Sequence, residues 1–98
     1  MIRHIVLFTL TEKARQEGLE TVVSRLRASC ENMTKNIPGL LTTELNFNRD
    51  KDSPHDLVFY SEFEDIKSLD AYQTHPVHLA HKKFGAEYVG NQEIADPF

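Results

Sequence analysis

Residues 2–10, "IRHIVLFTL", decide what kind of fold this chain can make. β-Branched and aromatic residues dominate the run, and it reads as a strand. Alternate side chains of a strand point to opposite faces, so Ile2, His4, Val6, Phe8 and Leu10 share one face and Arg3, Ile5, Leu7 and Thr9 the other. Both faces are largely apolar, as expected of a central strand covered front and back. Residues 56–63, "DLVFYSEF", repeat the pattern, with Leu57, Phe59 and Phe63 on one face and Val58 and Tyr60 on the other.

Between these two strands, Leu19, Val22, Val23, Leu26, Cys30, Met33 and Ile37 recur at three- and four-residue steps. The spacing predicts one long amphipathic helix from about Lys13 to Asn36. "IPGL" ends it, because Pro38 biases Ile37 away from helical angles and Gly39 permits a turn. Leu41, Thr43, Leu45 and Phe47 then alternate with Thr42, Glu44, Asn46 and Asn48, the pattern of an edge strand with one wet face. Asp65 can cap a short helix carrying Ile66, Leu69 and Tyr72, and Pro76 suits the first position of another that runs to about Val89. Residues 91–96, "NQEIAD", read as a short last strand.

The order β-α-β-β-α-β is that of an α+β, ferredoxin-like antiparallel sheet. With strand order 4-1-3-2 the first and third strands are central, in agreement with their two apolar faces. Helices in this topology cover one face only. The other face needs a cover, and a second copy packing sheet to sheet supplies it, so the sequence predicts a twofold homodimer, a dimeric α/β barrel.

Composition narrows the function. The 98 residues make a single domain, 1–98, with 11 Lys and Arg against 15 Asp and Glu, a net charge of −4 and no basic block. Nucleic acid and anionic membranes, which select clustered positive charge, are not expected partners. Cys30 is the only cysteine, so no intrachain disulfide can form, and with no membrane-length apolar run the expected location is the cytoplasm. No Gly-rich phosphate loop or nucleophile elbow occurs, and no cofactor is expected.

Four segments, "RHIVLFTL", "NIPGL", "HDLVFYSEFED" and "AYQTHPVH", in this order and with these gaps, resemble the stress-responsive dimeric α/β-barrel, or Dabb, family over residues 2 to 90. The resemblance implies a ferredoxin-like subunit and a dimer whose two sheets close a barrel. The family includes a plant polyketide cyclase type that closes an aromatic ring by cofactor-free aldol chemistry. Its functional histidine in the first strand corresponds to His4, and its functional tyrosine and histidine around the His-Pro motif to Tyr72 and His78. The cyclase also lines its pocket with aromatics from the first helix, whereas residues 13–36 contain none, which points away from a shared polyketide substrate.

Residues 70–84, "DAYQTHPVHLAHKKF", place His75, His78 and His81 at steps of three. A metal needs ligands converging from one face, but Pro76 puts His75 at a cap, out of phase with the helix behind it. His78 and His81 lie about 60° apart on a helical wheel, yet no cysteine or carboxylate motif joins them, and no metal is expected. For acid–base chemistry, a first-turn position disfavours an imidazolium and keeps His78 neutral, able to act as a general base. Tyr72 would orient it or the substrate oxygen through its hydroxyl, and His4 would donate to a developing enolate or alkoxide, although the three roles could be exchanged. Val6, Phe8 and His75 would complete the binding of a small carbonyl-bearing or aromatic ligand. The competing reading is a polar network without chemistry in a binding or scaffold dimer, with His4 satisfied by one internal hydrogen bond. An apolar stripe of Val77, Ala80, Phe84 and Tyr88 would bury His81 and leave His78 at the margin.

Overall fold

The computed structural model describes residues 1–96. In chain order its elements are β1 (Ile2–Leu10), α1 (Glu12–Glu17), α2 (Leu19–Asn36), β2 (Leu40–Phe47), β3 (Leu57–Phe63), α3 (Ile66–Thr74), α4 (Pro76–Gly85) and β4 (Val89–Ala95). All strand pairs are antiparallel, in the order β2-β3-β1-β4. The chain has the ferredoxin-like α+β fold, with β1 and β3 in the centre as their two apolar faces require.

The single long helix expected over 13–36 is two helices. Thr11 caps α1 by accepting a hydrogen bond from the Ala14 N–H at 3.2 Å. Gly18, at φ 99°, then turns the chain through a conformation that L side chains rarely adopt, and α2 restarts at Leu19. The α2 face made by Val22, Val23, Leu26, Cys30 and Met33 is buried against the sheet, as its spacing predicts. After Pro38, Gly39 adopts φ 83°, and a Cβ there would stand 2.1 Å from Ser68 Oγ, so the turn into β2 admits only glycine.

An irregularity between Leu40 and Thr42 shifts the register of β2, burying Leu40 and leaving Leu41, an expected inward residue, exposed. Asp65 caps α3 by accepting the Ser68 N–H at 2.8 Å. The last helix stops at Gly85, short of the expected Val89, because Tyr88 N–H turns back to the Gly85 carbonyl and Val89 already pairs with Leu10. The last strand accordingly starts two residues before the expected 91.

The inner face of the sheet meets the helices. Leu57, Phe63 and Ser61 are completely buried there, with Val6, Leu45 and Phe59 around them. The outer face carries no helix: Ile5 opposes Tyr60 and Leu7 opposes Val58 across the two central strands, and all four are only partly buried.

Candidate functional site

β1 places His4, Val6 and Phe8 on the inner face, and β4 continues that surface with Gln92 opposite Phe8 and Ile94 opposite Val6. Opposite them, α3 and α4 meet at a corner made by Pro76. Together with Leu26 and Cys30 of α2 and with Leu45, Leu57 and Phe59 of the sheet, these elements enclose a cavity of about 300 Å³. That is the lower end of the size range of small-molecule sites. Its polar lining includes His4, Tyr72, His78 and His81.

The corner fixes His78. In a continuous helix the Tyr72 carbonyl would accept from the N–H four residues on, but residue 76 is proline and has none. The carbonyl instead accepts from the His75 N–H at 3.2 Å and from His78 Nδ1 at 3.0 Å. A carbonyl can only accept, so Nδ1 carries the proton and Nε2 holds a free lone pair. Burial lowers the pKa of the His78 imidazole below its ordinary value, with the Lys82 charge acting in the same direction, and keeps it neutral near pH 7.

Tyr72 acts on His78 differently from the expectation. Its ring stacks on the imidazole, centroids 3.8 Å apart and planes 21° apart, so contact is through the ring face and the backbone carbonyl rather than through the hydroxyl. Phe63 supports the tyrosine edge-on at 4.8 Å. Burial raises the phenol pKa, so the hydroxyl keeps its proton and is a donor. Tyr72 Oη makes no hydrogen bond among the described residues, yet no side-chain polar atom there is sealed away without a partner. The hydroxyl therefore opens into the cavity it lines.

His4 is 4 % exposed, and its Nδ1 lies 2.5 Å from Asp96 Oδ1. The carboxylate accepts the Nδ1 proton, which leaves Nε2 outside this contact. Its ring centroid is 6.3 Å from that of Tyr72. Sequence reading missed Asp96, 92 residues away, although the register that pairs Val6 with Ile94 brings the next inward position of β4 to His4.

The wheel phased on Phe84 is also corrected. Phe84 is exposed, as is Ala80, whereas His78, Gly85 and Tyr88 are buried and His81 is intermediate. His81 lines the cavity while its Nδ1 bonds Ser29 Oγ at 2.7 Å, and burial takes its pKa down to about 4. His75, expected to bind substrate, is outside the lining. Its Nδ1 accepts the Val77 N–H at 3.1 Å and caps α4. Cys30 lies in the cavity wall with its thiol pushed up to about 12 by burial, a protonated core residue. Among the described residues no group of three or more His, Cys, Asp or Glu could hold a metal ion, and no helix is long and apolar enough to cross a membrane.

A four-stranded antiparallel sheet with an imidazole-lined cavity of about 300 Å³ under its helices defines the class: an α+β protein of ferredoxin-like fold. The chain belongs to the Stress responsive A/B Barrel Domain family, Dabb, whose model matches residues 2–97. Solved structures agree. A dimeric ferredoxin-like protein of unknown function from Bacteroides fragilis is 27 % identical with a TM-score of 0.81, the match covering 98 % of this chain and 93 % of that one. A Dabb family protein from Mesorhizobium loti is 24 % identical at TM-score 0.79, covering 99 % and 94 %. A protein from Arabidopsis thaliana is 15 % identical at TM-score 0.81, covering 100 % and 94 %. No curated protein matches the sequence.

Proposed function

We propose that the cavity is the site of cofactor-independent acid–base chemistry on a small carbonyl compound, of the cyclase or lyase kind. The observation that carries the reading is the state of His78: a buried, neutral imidazole whose Nδ1 proton is committed to a backbone carbonyl, with Nε2 left as the base. His78 Nε2 takes the proton from the carbon beside the carbonyl, and the C–H electron pair moves into an enolate. Tyr72 O–H donates to the enolate oxygen. Held at Nδ1 by Asp96, His4 donates from Nε2 as imidazolium and accepts there when neutral, and Asp96 is the counter-ion that the first form needs. Val6 and Phe8 would pack against the body of the ligand.

Hydrogen–deuterium exchange at the α-carbon of a 1,3-diketone, followed by NMR, tests this directly. The protein is expected to accelerate exchange, and His78→Gln to reduce the acceleration by on the order of 10²-fold. Exchange in the variant at the wild-type rate would remove His78 from the chemistry.

The alternative is a binding or scaffold dimer without catalysis. The outer sheet face supports a homodimer under either reading, with Ile5, Leu7, Val58 and Tyr60 forming an apolar patch across two central strands that no helix covers. The Bacteroides fragilis neighbour, a dimeric protein, agrees. A monodisperse 11.3 kDa species at micromolar concentration in sedimentation would overturn it.

A further inference from the structure

The mouth of the cavity has a charge asymmetry that the chemistry above does not use. The chain has 15 acidic residues and a net charge of −4, yet among the described residues no Asp or Glu lines the cavity. Apart from the histidines, Lys82 is the one ionisable cation in the lining among the described residues. Asp96 engages His4 Nδ1 through Oδ1 and is not part of the lining. Lys82 is exposed and has no carboxylate within ion-pair distance among the described residues. Two other exposed polar lining residues, Gln73 and Gln92, bring amide donors to the opening.

We propose that the cavity takes a small apolar molecule bearing a carboxylate, which sits at the mouth beside Lys82 while the apolar body fills the interior against Val6, Phe8, Leu57 and Phe59. The inference rests on the reading of the cavity as a small-molecule site and adds the charge and orientation of what enters it. A carboxylate drawn into the apolar interior would lose its hydration without compensation, whereas at the mouth it keeps water and gains a cation and amide donors. A ligand with an ammonium group would meet Lys82 as a like charge. Lys82 is four residues after His78, hence on the same face of α4 and about 6 Å further along its axis. The ligand carbon that faces His78 therefore lies several bonds from the carboxylate. An anion beside Lys82 would also offset the positive charge that acts on His78, so that binding and basicity of the imidazole rise together.

A matched pair of probes isolates the charge: 4-phenylbutanoate and its neutral amide, titrated into the wild-type protein and Lys82→Gln, with the Tyr72 and His78 resonances followed by NMR. The expected result is about three- to fivefold tighter binding of the acid by wild type. The Lys82→Gln variant should lose this preference with amide affinity unchanged, and Lys82→Arg should retain it. Equal affinity of acid and amide for wild type, or an acid preference that survives Lys82→Gln, overturns the carboxylate assignment while leaving the cavity as a binding site. If neither probe moves the Tyr72 or His78 resonances, the binding-site reading fails and this inference fails with it.

Discussion

The two faces of the sheet are built from the same strands and solve opposite problems. On the inner face Phe63, Leu57 and Ser61 are sealed under helices, and the remaining polar side chains are either bonded or open to the cavity. On the outer face Ile5, Leu7, Val58 and Tyr60 are apolar and only partly covered, with Glu44 opposite Tyr60 and Glu93 opposite Leu7 at the flanks. The inner face is finished by the chain itself; the outer face is finished by whatever docks on it. Substitutions on the first should therefore appear in folding stability, and substitutions on the second in association.

The sharpest contrast comes from Phe63→Ala. Phe63 is completely buried and packs on both His4 and Tyr72, and its loss should cost about 3–5 kcal/mol in urea unfolding. A second inner-face effect depends on pH. Burial lowers the folded-state pKa of His81 from 6.5 to about 4, so its contribution is complete above pH 6.5 and is lost as pH falls toward 4, where the unfolded chain binds the extra proton. The loss should amount to roughly 3 kcal/mol, and His81→Gln should flatten stability across that window. Ser61→Ala removes a buried hydroxyl that donates to the His4 carbonyl at 3.2 Å, for an expected cost of about 1 kcal/mol. On the outer face, Leu7→Glu should change the unfolding free energy of the isolated chain by less than about 0.5 kcal/mol, yet give a monomer in sedimentation. A Leu7→Glu protein that unfolds on dilution, or stays dimeric, would erase the distinction between the faces.

The strands were legible because burial on both sides leaves an apolar record at every position, and β1 and β3 carry that record throughout. The helix break was less legible. The periodic series begins only at Leu19, so it carries no information on residues 13–18, and periodicity reports burial without reporting the φ of Gly18. In α4 the apolar side chains do not mark the inward face, because a helix that faces a cavity can place imidazoles inward and leave Phe84 outside. Asp96 had no local signal at all; its relation to His4 is a matter of register between strands at opposite ends of the sequence.

Pro76 has a reach beyond the bend it makes. By withholding an N–H it leaves the Tyr72 carbonyl open to the His78 ring, so the tautomer of the imidazole is fixed by main-chain atoms. Main-chain atoms do not change when side chains are replaced. Side chains elsewhere in the cavity wall can therefore change while the same ring nitrogen stays unprotonated in the same place, because the atoms that set it belong to the chain's path and not to its side chains.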